Sequence, residues 1–364
     1  MGLLAAAVFL VTAGPGLAES FRQRIVSTSG IPHGDIANYR RSPYWRPGMP
    51  MGLNQPWQDF LNAEIADITN GADVVLHQGD QAEGRWGRDC GGRGVFGGVG
   101  TWDERVRALR LAGNIYYSTL KRFWGDRDVL FGMGDHEIGD IGERGIVLPN
   151  TFTYRAHRYW NRVWRRHYGP SRYATRRGRV GIITLDPFQK TSRGIIARIR
   201  RSALDWTHHK IAHWRANGVR WILVQSEIPG IGPNRQTDTS GLLLRNAGQV
   251  WRRMTTMGVD LFLAAEFHNE TTQTNAGMTP IQVVHGGRHL RASWLVIDEY
   301  DHHLELTLKA SQGSHVGNAT IWSPCGPRLP SDPVPGTPEV IGTMTIHADG
   351  TTSDRTGRLQ EGIG

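Results

Sequence analysis

The sequence predicts an α/β protein in which helices and strands alternate along most of the chain and pack in layers. Helical and strand-like segments alternate up to about residue 265, and only strands follow. Two strand-like runs, 74–76 and 129–133, each end close to a glycine that is followed by an aspartate. The alternation favours helices packed on a mixed sheet. Carboxylates after successive strands favour a binding site at one edge of that sheet.

The composition is that of a globular protein with a basic surface. The 364 residues are 39% hydrophobic and 21% charged, which suits one large domain or two smaller ones. The formal net charge of +9 attracts phosphate esters, nucleic acids or acidic polymers without selecting one of them. Arginines are spread over residues 144–253 and form no basic tail. We therefore expect no specific nucleic-acid module, and a nucleic-acid binder is the least favoured alternative.

The first eighteen residues, 1–18, resemble a secretory signal peptide. Residues 3–11 are apolar but too short to span a bilayer, and residues 16–18 (Gly-Leu-Ala) offer a small-residue cleavage site. We expect a secreted or periplasmic protein with no transmembrane segment after removal of the signal. The basic residues that usually open such a signal are missing. An apolar N-terminus without a targeting role is the alternative.

Residues 19–311 are predicted to form one domain, followed by a Pro/Gly-rich C-terminal extension over 312–364. The extension has little apolar periodicity, and we expect loops with a short strand or two near 339–346. The two cysteines, Cys90 and Cys325, lie in loops rich in glycine or proline. In a secreted chain they could pair, and the sequence leaves the pairing open.

The elements of the domain follow from apolar periodicity. A first strand covers 24–29, and a loop rich in Arg, Pro and Gly covers 39–56. Helical spacing of apolar residues predicts a helix over 57–68, and a capping box at 101–104 begins another that runs to about residue 124.

The second half of the domain continues the alternation. The predicted helices cover 154–168, 202–217 and 244–257, and the predicted strands cover 179–185, 220–225, 259–265, 281–285, 294–299 and 304–308. The last two strands are expected to form a hairpin.

Five strand ends carry side chains that bind metals. They offer His33 or Asp35, Asp80, Asp135 with His136, Glu227, and Glu266 with His268. A single aspartate after glycine is usually a turn residue, and a single histidine is usually a satisfied hydrogen-bonding group. The repetition of strand, small residue and ligand favours a shared metal site.

The order of these motifs resembles the calcineurin-like metallophosphoesterases over roughly residues 24–310. Residues 79–83 (Gly-Asp-Gln-Ala-Glu) resemble the second motif of that family, whose aspartate bridges two metals. Residues 134–137 (Gly-Asp-His-Glu) resemble the third motif, usually Gly-Asn-His-Asp/Glu. Residues 265–268 (Ala-Glu-Phe-His) are similar to the fifth motif, Gly-His-x-His, and residues 284–287 (Val-His-Gly-Gly) to the strand end that follows it.

The resemblance implies a fold, an activity and a set of site residues. The fold is a four-layer α/β/β/α metallophosphoesterase-like sandwich with mixed central sheets. The activity is hydrolysis of phosphomonoesters or phosphodiesters with two divalent metal ions, which could be Mn, Fe, Mg, Ca or Zn. The expected metal ligands are His33, Asp80, Asp135, Glu227, Glu266 and His268. His136 is the expected catalytic residue, which donates a hydrogen bond or a proton to the ester oxygen.

Substitutions within the motifs leave a second function open. Gly30 stands where the first motif of the family places aspartate, with His33 or Asp35 as a shifted substitute. Glu227 and Glu266 replace histidines, and carboxylates favour ions harder than Zn²⁺. The alternative is a catalytically degenerate protein of this fold that has lost the two-metal site and has a binding or structural role. A separate possibility is that these carboxylates face different directions and bind only water.

Overall fold

A computed structural model describes most of the chain in separate ranges. These ranges are 19–30, 37–38, 52–53, 55–80, 123–134, 161–162, 164–192, 194–231, 243–267, 270–286, 292–311 and 336–360. The predicted signal peptide and nearly all of the predicted helix at 101–124 lie outside the described residues. So do His33, Asp35, Cys90, Asp135, His136, His268 and Cys325.

Helices and strands alternate within the described ranges. The helices are α1 (Gln55–Ile68), α2 (Arg201–Ala216) and α3 (Ala247–Met257), with a short 3-10 helix at Gly357–Leu359. The strands are β1 (Gln23–Thr28), β2 (Ala37–Asn38), β3 (Gly52–Leu53), β4 (Val74–His77), β5 (Val129–Phe131), β6 (Tyr173–Arg177), β7 (Val180–Thr184), β8 (Phe188–Thr191), β9 (Gly194–Ala197), β10 (Trp221–Gln225), β11 (Leu261–Ala264), β12 (Thr271–Asn275), β13 (Met278–Val284), β14 (Ala292–Glu299), β15 (His303–Ser311), β16 (Pro338–His347) and β17 (Thr352–Ser353).

Two large mixed sheets contain most of these strands. The first sheet has the order β17-β16-β15-β14-β1-β4-β5, with β1, β4 and β5 parallel and the remaining neighbours antiparallel. The second sheet has the order β12-β13-β11-β10-β7-β6. Its four inner strands are parallel, and the strand at each side is antiparallel to its neighbour. The carboxyl ends of the inner strands therefore share one edge of this sheet.

The alternation of side chains along the strands shows that the two sheets face each other. In β10, Trp221 and Leu223 belong to an apolar cluster that also contains Ile25 and Leu76 of the first sheet. Because successive side chains of a strand point to opposite faces, Ile222 and its outer neighbours lie on the other side of the sheet. The first cluster is therefore the core between the sheets.

Helices pack in the second apolar cluster, on the outer faces. Ile65 and Ile68 of α1 share this cluster with outward-facing strand residues such as Val75, and α2 and α3 contribute Trp214 and Met254. Helix α3 ends at Gly258, whose left-handed backbone (φ 69°) suits a residue without a β-carbon. The four-layer α/β/β/α sandwich with mixed sheets is thus confirmed.

The C-terminal part of the chain contributes more to the fold than its sequence indicates. The strand expected near 339–346 is present as β16, and it pairs with β15 along nearly its whole length. Part of the predicted extension therefore belongs to the first sheet, while residues 312–335 lie outside the described ranges. The division of the chain at residue 312 stays a prediction. Among the residues that the structure describes, no helix has the length and apolar character needed to cross a membrane.

Candidate metal centre

The ends of strands from both sheets meet at one edge of the sandwich. The side-chain amide of Gln225, at the end of β10, donates to the carbonyl of Leu130 in β5 at 3.0 Å and to Thr184 Oγ1 at 2.8 Å. A β-carbon on Gly79, just after β4, would lie 2.6 Å from the backbone nitrogen of Gly134 and 2.6 Å from Cγ of Glu227. Glycine at residue 79 therefore lets the two sheets approach closely here.

Three carboxylates converge at this edge. Asp80 follows β4, Glu227 follows β10 and Glu266 follows β11. One oxygen from each lies within 4.8 Å of the others, so the three can point at a common centre. Asp80 and Glu227 are buried, and Glu266 is partly exposed. The structure thus brings together three of the side chains that the sequence predicts as ligands, and their role in metal binding stays a prediction.

Two of these residues hold an unfavourable backbone conformation. Asp80 has φ 56° and Glu266 has φ 68°, in the left-handed region that residues with side chains seldom occupy. Such conformations cost about 1–3 kcal/mol and persist where the surrounding structure imposes them. They cluster at functional sites, which is a second reason to regard this edge as the site.

The charge of the cluster favours a bound cation. At a separation of 4.8 Å and an effective dielectric constant of about 20, two ionised carboxylates repel each other by about 3 kcal/mol. A divalent cation removes this repulsion, and carboxylate oxygens are the donors that Mg²⁺, Mn²⁺ and Ca²⁺ prefer. The residues present therefore fit a hard divalent ion.

The remaining predicted site residues have no described placement. His33, Asp135, His136 and His268 lie outside the described residues, so their roles stay predictions. Gly30 is described: it has φ 67°, and its N–H donates to the carbonyl of Gly79 at 3.1 Å. The end of β1 thus reaches the site and presents a glycine there.

Sequence reasoning missed the polar residues that hold the strand ends together. Gln78, Gln225 and His285 are buried, and each lies at or next to the carboxyl end of an apolar strand. A polar side chain at the end of a mostly apolar strand is the signal that would have indicated them, because a buried polar group requires a partner.

The comparisons with known proteins bear on the fold. No protein-family model and no curated protein matches the sequence. The structure titled PhoD superposes with a TM-score of 0.57 at 10% identity, over 96% of this chain and 74% of that one. Purple acid phosphatase PPD1 from yellow lupin seeds gives 0.44 at 12% identity, over 79% of this chain and 51% of that one. GAP50 of Plasmodium superposes with a TM-score of 0.42 at 11% identity, over 80% of this chain and 85% of that one.

The chain has the fold of the calcineurin-like metallophosphoesterases, as the resemblance of its motifs implied. We base this on the superposition with PhoD, since TM-scores below 0.5 are too low to support a common fold. At 10% identity the likeness defines the fold alone.

Proposed function

We propose that the protein is a metal-dependent hydrolase of phosphate esters. The observation that carries this proposal is the convergence of Asp80, Glu227 and Glu266 at the strand ends of a metallophosphoesterase fold. A phosphate ester carries the negative charge that a cation at this edge would attract, and the chain's net charge of +9 favours the same ligand.

Each site residue has a distinct role in the proposed reaction. Asp80, the first of the three carboxylates in the chain, would hold metal together with Glu227 and Glu266. Bound divalent ions supply neutralisation of the phosphoryl oxygens and acidification of water. Asp80 and Glu227 are buried, so their charges are weakly screened by bulk water and would attract a cation strongly. His136 would donate a proton to the leaving ester oxygen, and His33, Asp135 and His268 would complete the ligand set, which would hold two ions.

Metal analysis combined with a hydrolysis assay tests this function. The full chain, purified with Mn²⁺ present, should retain about two equivalents of metal and hydrolyse p-nitrophenyl phosphate or bis-p-nitrophenyl phosphate. Asp80→Ala should lose metal and most of the turnover. Asp126→Ala is the matched control, because Asp126 is exposed and lies away from the cluster. Wild-type turnover in Asp80→Ala would reject the site.

A non-catalytic role is the second candidate, and Gly30 favours it. The first family motif places an aspartate after the first strand, and that residue holds one of the two metals. Here Gly30 follows β1 at the corresponding place, and its N–H donates to the carbonyl of Gly79. With one metal or none, the same fold would serve as a binding or structural protein. One equivalent of metal or less, without turnover on added Mn²⁺, would favour this role over the enzyme.

A further inference from the structure

A basic cavity of about 660 Å³ opens at the same edge of the second sheet as the carboxylate cluster. Its lining comes from the helical segment around residue 165, the loop before β6, the segment after β7 and the start of α2. The basic and acidic members among the described lining residues are Arg162, Arg165, Arg172, Asp186, Lys190 and Arg200. Five basic side chains and one acidic side chain give this lining a net formal charge of +4.

Asp186, the single carboxylate among the described lining residues, is already engaged by the protein. Its Oδ1 accepts the N–H of Phe188 at 3.0 Å, and its Oδ2 accepts the hydroxyl of Ser171 at 2.8 Å. Burial raises the pKa of Asp186, against the lowering influence of these hydrogen bonds and of nearby Arg200 and Arg172. Asp186 therefore lines the cavity with both carboxylate oxygens already hydrogen-bonded, and the described lining stays predominantly positive.

Two further features of the cavity favour binding of an anion. The guanidinium carbon of Arg172 lies 5.1 Å from the ring centre of Trp206, a cation–π contact that limits the freedom of its side chain. Helix α2, sixteen residues long, begins at the cavity without a side-chain cap, and Ser202 and Ala203 of its first turn line the wall. The positive end of its dipole adds to the arginine charges.

The cavity lies beside the candidate metal centre. Thr184 of β7 pairs with Gln225 of β10, so Asp186 and Glu227 each follow that pair by two residues on neighbouring parallel strands. Neighbouring strands lie about 4.8 Å apart. The cavity lining and the carboxylate cluster therefore include residues from the same edge of the second sheet.

We propose that this cavity binds a second phosphate group of the substrate whose scissile ester lies at the metal centre. This inference rests on the proposed function, and it narrows the preferred substrates to phosphate esters that carry at least two phosphate groups. Arginine suits this task because its planar guanidinium donates two parallel hydrogen bonds to phosphate oxygens. A monophosphate ester would reach the metal centre and leave the cavity unfilled.

Binding of pyrophosphate to the metal-free protein tests the cavity independently of catalysis. Pyrophosphate is titrated calorimetrically into the full chain in EDTA, where the metal centre cannot hold it through a cation. Arg165→Glu and Arg200→Glu should each weaken binding about tenfold, since each replaces a charge-assisted hydrogen bond with repulsion. The neighbouring exposed arginines outside the lining provide matched controls, and Arg166→Glu and Arg201→Glu should stay within about twofold of wild type. Equal affinity in all four variants would overturn the assignment.

A comparison of two substrates then decides whether the anion belongs to the substrate. The ratio of kcat/KM for a sugar bisphosphate to kcat/KM for p-nitrophenyl phosphate should fall about tenfold in Arg165→Glu and stay constant in Arg166→Glu. An unchanged ratio would overturn the substrate assignment, even with pyrophosphate bound in the cavity. Absence of hydrolysis of either ester by the wild type would instead refute the proposed function, and the metal-free titration would still report on anion binding.

Discussion

The side chains of Gln78 and His285 meet across the two sheets, with the amide nitrogen of Gln78 3.3 Å from Nε2 of His285. Gln78 also donates to Ser27 Oγ at 2.8 Å, so one amide links β1, β4 and the end of β13. Both residues are buried, and Asp80 lies two residues after Gln78. Because an amide N–H can donate only to an unprotonated ring nitrogen, this contact requires Nε2 to carry no proton.

The neutral state of His285 predicts acid sensitivity of the fold. Burial lowers the pKa of His285 to about 4, against an ordinary value near 6.5. The unfolded chain therefore binds more protons than the folded chain between these values, so stability falls as the pH drops from about 6.5 to about 4. The loss between pH 7.5 and pH 4.5 amounts to about 2.5 kcal/mol, which urea unfolding at these two pH values would measure.

Histidine variants isolate this contribution. His285→Gln keeps a polar partner for Gln78 and removes the titration, so its stability should decline less over the same pH range. His208→Gln removes an exposed histidine of α2 and should decline as steeply as wild type. Parallel declines in all three proteins would show that His285 is not the group responsible.

Asp80→Asn should stabilise the metal-free protein and abolish its stabilisation by metal. Asparagine keeps the shape of the side chain and tolerates the left-handed backbone at residue 80, while removing one of three mutually repelling charges. We expect a gain of about 1–3 kcal/mol in EDTA. We also expect loss of the increment of about 2.7 kcal/mol that Mn²⁺ at a hundred times its Kd would give wild type.

Thermal unfolding with EDTA and with Mn²⁺ measures both effects. Asp126→Asn is the control for removal of an exposed carboxylate, and its unfolding temperatures with EDTA and with Mn²⁺ should equal those of the wild type. A metal-free Asp80→Asn protein less stable than wild type would contradict the repulsion argument.

Gly79→Ala should disturb the metal centre without replacing any of its proposed ligands. The added methyl group would lie 2.6 Å from Cγ of Glu227 and 2.6 Å from the backbone nitrogen of Gly134, so Glu227 or the chain at residue 134 must move. We expect a loss of stability of about 1–3 kcal/mol and at least tenfold weaker metal binding. Unfolding curves and metal titration provide the two measurements.

The matched glycine is Gly248 in α3, where an added β-carbon meets no atom closer than 3.6 Å. Gly248→Ala should retain metal affinity and gain up to about 1 kcal/mol from its higher helix propensity. The steric argument fails if Gly79→Ala retains wild-type stability and metal content.

Glu266→His should change which metal the protein prefers. The substitution restores an imidazole where the family motif has histidine, and histidine tolerates a positive φ better than glutamate does. Since imidazole nitrogen favours Zn²⁺ over Mg²⁺ or Mn²⁺, the zinc share of bound metal should rise severalfold in an equimolar mixture. Elemental analysis after dialysis gives this share, and an unchanged metal ratio would count against Glu266 as a ligand.

The sequence predicts the strands whose apolar runs are long and the carboxylates that follow them. Strands β4, β10 and β11 lie where the apolar runs place them, and the convergence of Asp80, Glu227 and Glu266 follows from parallel strands sharing an edge. The order of the strands within each sheet does not follow from the runs, because pairing depends on contacts between residues far apart in sequence.

Strands with polar sequences were harder to predict. β12 (Thr271–Asn275) is composed of threonine, glutamine and asparagine, yet most of it is buried against β13. Nothing in its apolar pattern indicates a strand, since its neighbours in space supply the driving force for burial. The basic cavity was not predicted either, because its arginines come from separate segments that only the fold brings together.

The position of β1 in the first sheet has a consequence for biosynthesis. This strand emerges near the start of the chain, yet its antiparallel neighbour β14 pairs Gln23 with Glu299, 276 residues later. During translation, one side of this inner strand therefore exposes unpaired backbone groups until β14 has also left the ribosome. Pairing between such distant segments slows folding. Until it occurs, the unpaired edge of β1 can pair with other chains, so we expect the nascent protein to depend on chaperones that bind this edge.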